Sequence, residues 1–256
     1  MSSAMSGAAV QWITMGGRSL RLGRRNVDAL LMSVALPVML MVVFVYLFGG
    51  AIQTGTEYVT YVVPGVMLLC VSFGSAMTAV SVANDMSEGI VDRFRSLDVG
   101  GAAVLAGHVT ASLARNVLSS ALVFGVAFLL GFRPRADAGQ WLAAAGVLVL
   151  VIAAVSWLAA ALGLLARSPE AASGYTFFIT FLPYASSAFV PIDTMPSWLR
   201  GFASSQPVTP ITESLRGLLL DQPVGDAPWR AVAWCVGIMA VAIVAAAVLF
   251  KARTRT

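Results

Sequence analysis

The chain has 256 residues, of which 59% are hydrophobic and only 11% charged. A soluble domain carries about 25% charged residues, so this chain cannot coat a soluble core, and its mean hydropathy of +0.86 points the same way. A soluble enzyme, a disordered chain and a nucleic-acid-binding module are excluded, leaving a polytopic, all-α membrane protein.

The net charge is +4, but the basic residues sit in clusters beside apolar runs. That pattern fits an anionic membrane face rather than nucleic acid. The two cysteines, Cys70 and Cys235, lie inside apolar runs and read as buried free thiols.

In chain order, residues 10–27 read as an interfacial amphipathic helix. Ile13, Leu20 and Val27 recur every seven residues on one face, with Arg18, Arg21 and Arg25 opposite. The alternative is an ordinary basic flank to the first span. That span covers about Ala29–Phe48 and is too long for the core of a cleaved signal peptide, so it is expected to be retained. Five more apolar runs are each long enough to cross a bilayer core of about 30 Å. They are about Tyr58–Ala83, a stretch within Ala102–Leu130, Gln140–Ala166, Ala171–Val190 and Trp229–Phe250. The whole chain is expected to form one membrane domain: 1–28 cytoplasmic or interfacial, 29–250 six spans, 251–256 a cytoplasmic tail. With both termini inside, eleven Lys and Arg fall on inner segments and five on outer ones, so this orientation satisfies the positive-inside rule.

The loop between spans two and three carries a short amphipathic helix. Ile90, Phe94 and Leu97 fall on one face; Asp85, Glu88, Asp92 and Arg95 fall on the other. Spacing alone allows either a docking element for a partner or a solvated linker. In span three, His108 and Arg115 are expected near the cytoplasmic end, with Arg115 snorkelling to the interface; Arg115 and Asn116 at the mouth of a substrate path is the alternative. His108 has no acidic or cysteine neighbour at ligand spacing, so no metal site is expected there. Phe73, Met77, Phe177, Phe178, Phe181 and Tyr184 either line an apolar cavity or meet lipid and neighbouring helices. Pro183 is expected to kink span five. In the outer segment 191–228, Leu218–Leu220 is too short to span. Thr209 or Thr212 is expected to cap a short helix there, with Glu213 in its first turn. Glu213 and Arg216 stand three apart and pair either as an outer gate or as an ordinary surface ion pair.

The run Glu88-Gly89-Ile90-Val91-Asp92-Arg93-Phe94-Arg95-Ser96-Leu97 resembles the signature after the second span in type-2 ABC exporter permeases, the daunorubicin-resistance drug permeases above all. Further similarities are Tyr61-Val62-Val63-Pro64-Gly65, Gly131-Phe132-Arg133, Arg167-Ser168-Pro169-Glu170-Ala171, Gln206-Pro207-Val208-Thr209-Pro210 and Leu215-Arg216-Gly217-Leu218. The resemblance covers essentially the whole chain. Asp98 departs from it where proline is common, and Gln206 where asparagine is frequent.

The resemblance implies a membrane subunit. Two copies of a separate ATPase subunit would bind ATP and magnesium, and a second permease copy or a paralogue would complete the path. It also implies that Glu88–Leu97 is the ATPase-coupling helix, braced by the N-terminal interfacial helix. The outer segment would dip into the outer leaflet as two re-entrant helices before span six. The implied cargo is an amphipathic drug-like metabolite or a lipid, and the implied location the bacterial cytoplasmic membrane. The sequence has no G-x-x-x-x-G-K-[ST] phosphate loop, and no H-E-x-x-H or G-x-S-x-G pattern, so an ATP site or an intramembrane enzyme is not expected. A non-transport assembly subunit and a polysaccharide exporter remain the alternatives.

Overall fold

The second apolar run becomes the axis of the molecule. The computed structural model describes residues 27–52, 54, 56–88 and 101–253, with side chains described from Val34 and again from Val104. We number the helices α1 (Val27–Val43), α2 (Tyr58–Ser87), α3 (Gly101–Leu129), α4 (Ala138–Leu165), α5 (Pro169–Phe181), α6 (Ser197–Ser205), α7 (Val208–Leu220) and α8 (Ala227–Arg253). Among the described residues there is no strand.

α2 packs against α1, α3, α4, α5 and α7, and most of its length is buried. A helix rises 1.5 Å per residue, so its 30 residues reach about 45 Å and project beyond a bilayer core of about 30 Å. Pro64 lies in its second turn. Beside it, a Cβ on Gly65 would stand 2.7 Å from Ala188 Cβ and 2.8 Å from the Ala188 carbonyl oxygen. Only glycine lets that distant backbone approach so closely.

α2, α3 from Val104, α4 and α8 are long and apolar enough to cross a membrane, and the molecule is a multi-pass membrane protein. α4 starts with a capping box: Asp137 accepts from the Gln140 amide at 2.7 Å, and Gln140 accepts from the Asp137 amide at 2.8 Å. Gln140 also donates to Asp221 at 2.6 Å, tying α4 to the end of α7. At the other end of the bundle, Arg253 donates to the Ala166 carbonyl. The two ends are called below the Arg133 end and the Arg253 end. α1 continues without a break into a five-residue π-turn, Phe44–Phe48, so the first apolar run is helical as expected.

The fifth run departs from expectation. α5 starts as the sequence suggests, with Ser168 accepting from the Ala171 amide at 3.3 Å and Pro169 in the first turn. It then stops after 13 residues, about 20 Å, which is short of a crossing. Pro183 lacks the amide that would continue the helix and crowds the preceding turn. The chain tightens into a 3-10 turn at Leu182–Ala185, and after Ala185 it is no longer helical. The expected span over Ala171–Val190, kinked at Pro183, is therefore replaced by a half-length helix and an unwound segment.

Candidate functional site

An unwound backbone inside an apolar protein must find partners for each buried amide and carbonyl. Around residues 183–189 these partners come from far along the chain. The Pro183 carbonyl accepts from Ser186 Oγ at 2.6 Å, and Ser186 Oγ in turn accepts from the Ala188 amide at 3.1 Å. The Ala185 carbonyl accepts from the Gln206 side-chain amide at 3.3 Å. The Ser187 amide donates to Thr209 Oγ1 at 3.2 Å. Its carbonyl accepts from Tyr61 Oη at 2.9 Å and from Arg216 Nη2 at 2.8 Å. The Phe189 carbonyl accepts from Tyr58 Oη at 3.0 Å. The side chains of α2 and of the α6–α7 hairpin thus replace the missing helical ladder.

Arg216 is the hub of this latch. Besides Ser187, it donates to the Tyr61 carbonyl from Nε at 3.2 Å and from Nη2 at 3.1 Å. Its guanidinium carbon lies 3.6 Å from the Tyr61 ring centroid, a cation–π contact. Burial lowers its pKa, opposed by Tyr61 and Glu213. The expected Glu213–Arg216 ion pair is not formed. Glu213 instead lies 4.0 Å from Arg230, which pairs more closely with Asp226 at 3.1 Å. The reason is that the carbonyls of Tyr61 and Ser187 hold the arginine inward, away from Glu213. Burial raises the Glu213 pKa, with Arg216 and Arg230 pulling it back. Together with Gln222 and Asp226, Glu213 and Arg230 line a polar vestibule of about 370 Å³ at the Arg133 end.

The expected caps of α7 are also corrected. Thr209 is spent on Ala203 and Ser187, and Thr212 donates to the Val208 carbonyl at 2.8 Å. Gln206 does the capping, accepting from the Val208 amide at 3.1 Å. Because α7 starts at Val208, Glu213 falls in its second turn.

A second polar group lies halfway along the bundle. Arg115 is the middle residue of α3, which runs from Gly101 to Leu129. Its side chain crosses to α2 and donates from Nη2 to the Gly74 carbonyl at 3.0 Å and to Thr78 Oγ1 at 2.8 Å. Each end of α3 is about 21 Å away along the helix. Among the described residues no carboxylate pairs with Arg115, and its Nε is buried without a partner. Asn116 is fully buried and donates to Ser112 Oγ at 3.2 Å and Ser75 Oγ at 3.4 Å. Ser112 meets Ser156 of α4 at 2.8 Å. A Cβ on Gly74 would collide with the Asn116 amide, so α2 and α3 close here only because residue 74 is glycine. A cation held only by neutral partners inside an apolar bundle is costly.

Nearer the Arg253 end, His108 is not isolated: its Nε2 lies 3.0 Å from Asp85 Oδ2. The pair is two-membered, and 23 residues separate its partners in sequence. Glu88 follows the last residue of α2, is exposed, and donates its amide to the Asn84 carbonyl. The rest of the expected coupling helix, Gly89, Ile90, Asp92, Arg93, Phe94, Arg95 and Leu97, lies outside the described residues, as do Arg18, Arg21 and Arg25 of the interfacial helix. Met77, Phe177, Phe178 and Phe181 are exposed and do not line the two apolar cavities described in the bundle.

Comparison with known proteins places this architecture in context. The pattern of the ABC-2 type transporter family matches residues 10–220. A daunorubicin resistance ABC transporter permease protein of Streptomyces coeruleorubidus is 35% identical over 190 residues, 73% of this chain and 66% of that protein. That match spans just under two thirds of the relative's length. A probable doxorubicin resistance ABC transporter permease protein of Mycobacterium tuberculosis is 24% identical over 243 residues, 94% of this chain and 88% of that protein.

Proposed function

This chain belongs to the ABC-2 type transporter family, and from that premise we propose that it is the membrane subunit of an ATP-driven exporter of amphipathic, drug-like compounds. The observation that carries the reading is the match over residues 10–220 together with relatives named as drug-resistance permeases. Hydrolysis belongs to a partner: the single lysine, Lys251, follows an apolar run and no phosphate loop. Two copies of that ATPase, carrying ATP and magnesium, dock on the Arg253 end through Glu88–Leu97. The N-terminal interfacial helix braces that contact.

The chain sits in the bacterial cytoplasmic membrane with both termini inside, and it crosses six times. α1 with its π-turn is the first crossing. α5 with the unwound segment is the fifth, and α6–α7 is a re-entrant hairpin at the outer face. A second permease copy or a paralogue completes the path; the exposed aromatic face of α5, where Phe177 and Phe181 stack at 4.2 Å, is the surface it would cover. ATP-driven closure of the ATPase pair moves α2 through the coupling helix. Because α2 carries both Tyr61 and the partners of Arg115, the same movement reaches the mid-span cation and the outer latch. The latch holds the outer end shut until α2 shifts. Cargo enters from the inner leaflet or cytoplasm, passes the level of Arg115 and leaves once the contacts to Ser187 separate.

The test is ATP-dependent flux of amphipathic compounds in proteoliposomes holding this chain and the ATPase encoded beside it. Uptake that needs both subunits and ATP is the expected result. ATPase turnover indifferent to this chain refutes the proposal.

A further inference from the structure

Between α3 and α4 lies a crevice of about 470 Å³ that the transport reading does not use. Its walls are Gly125 and Phe128 of α3 and Trp141 and Ala145 of α4; Leu215 and Leu219 of α7 form its floor. The volume lies within the range of small-ligand sites, and the lining is almost wholly apolar. Its long axis follows the helices, from Val117 to Phe128 and from Trp141 to Val149. At 1.5 Å per residue that is about 12–16 Å, the depth of one leaflet of a core about 30 Å thick. Both walls are helices able to cross a membrane, so the mouth opens sideways onto hydrocarbon.

The upper rim is cationic. Exposed Arg133 donates to the Phe128 carbonyl at 2.8 Å and to the Phe132 carbonyl at 3.0 Å. These bonds fix its guanidinium directly above the wall that Phe128 forms. No carboxylate among the described residues pairs with it. Trp141, the residue type that anchors at membrane interfaces, stands at the same level, its ring 5.5 Å from that of Phe124.

We propose that this crevice binds one phospholipid of the leaflet at the Arg133 end, its acyl chain lying between α3 and α4 and its phosphate on Arg133. Three features fit a lipid: the crevice is one leaflet deep, its mouth opens sideways, and its rim carries a fixed cation. The consequence is regulatory. The chain rests on Leu215 and Leu219 of α7, the helix that also carries Arg216. An occupied crevice therefore braces the latch helix.

The experiment uses a phospholipid with a photoactivatable diazirine in one acyl chain, incorporated into nanodiscs with the full chain, and peptide mapping by mass spectrometry. Label is expected on Leu215 and Leu219, which are 1% and 2% exposed and out of reach of lipid that merely surrounds the protein. Label confined to outward residues such as Leu142, 76% exposed, overturns the proposal. In Gly125→Phe the new side chain enters open space, since nothing stands within 4 Å of a Cβ there. Label on α7 should be lost while label on Leu142 stays. Ala145→Phe supplies the same test from the opposite wall. A diacylglycerol bearing the same photoactivatable chain should label α7 less than the phospholipid does, and Arg133→Gln should abolish that preference. Equal labelling by the two lipids in the unaltered chain refutes the phosphate contact. Displacement of all α7 label by a fused-ring amphiphile would make the crevice a cargo site and overturn the lipid assignment.

Discussion

Replacing Arg216 by methionine removes the hub of the latch while keeping a long apolar side chain. Three charge-assisted hydrogen bonds are lost, two on the Tyr61 carbonyl and one on Ser187. The stacking on the Tyr61 ring goes with them. A hydrogen bond to a charged group contributes about 1.5–3 kcal/mol, and a cation–π contact about 0.5–2 kcal/mol. These do not simply add. The two bonds on Tyr61 share one acceptor, Ser187 keeps its bond from Tyr61 Oη, and Arg216 is only partly buried. A net loss of about 2–4 kcal/mol follows. Local opening of residues 183–189 should become roughly 30- to 700-fold more frequent, at about 1.4 kcal/mol per factor of ten. Hydrogen exchange read by mass spectrometry reports this at the Ser187 and Ala188 amides, which are bonded to Thr209 and Ser186. Exchange in α4 should stay unchanged. Exchange at Ser187 and Ala188 within twofold of the unaltered chain would show that Arg216 does not hold the unwound segment. A double-mutant cycle with Tyr61→Leu should then return no coupling.

Gly65→Ala should lower stability by about 1–3 kcal/mol, as overpacking does, because its methyl meets the backbone and side chain of Ala188; a denaturant midpoint equal to the unaltered chain's would contradict that close approach. Glu213→Gln tests the pH dependence. Burial raises the Glu213 pKa above its ordinary 4.5, so the folded state holds the proton more tightly than the unfolded one. Stability from this group is complete below about 4.5 and is lost as pH rises through the folded pKa. The unaltered chain should therefore lose more thermal stability than Glu213→Gln as pH rises from the mildly acidic range to neutrality; parallel curves would refute the shift. Arg115→Leu removes a cation with no carboxylate partner among the described residues from the middle of α3, so thermal stability should hold or rise, while ATP-dependent flux falls and basal ATPase activity persists. Normal flux in a folded Arg115→Leu protein would remove that side chain from the path.

The long helices were legible because each is a long apolar run between polar ends. α4 was expected from Gln140 and starts at Ala138; α8 was expected from Trp229 and starts at Ala227. The break in the fifth apolar run was not legible as such. Hydropathy of Ala171–Val190 is that of a span, and Pro183 signalled only a kink. What stabilises the unwound chain is contributed from Tyr61, 126 residues away, and from Arg216, whose bond to Tyr61 spans 155 residues. No local pattern carries such pairings. One end of the Gln206 amide holds Ala185 and the other caps α7, a double role that its position in the sequence does not reveal. The partners of Arg115, Gly74 and Thr78, lie on α2, 41 and 37 residues away in sequence, and no local pattern shows them. His108 found its carboxylate on the neighbouring helix, which spacing within one segment does not reveal.

The central claim is that this chain converts a partner's ATP hydrolysis into export. The most direct measurement is compound-stimulated ATPase activity and flux in proteoliposomes, comparing the unaltered complex with the triple charge reversal Glu88→Lys, Asp92→Lys and Arg95→Glu. The account predicts stimulated turnover and flux in the unaltered complex, and loss of both in the reversal while the membrane subunit itself stays folded. A reversed chain that still copurifies with its ATPase and transports at the normal rate would contradict it.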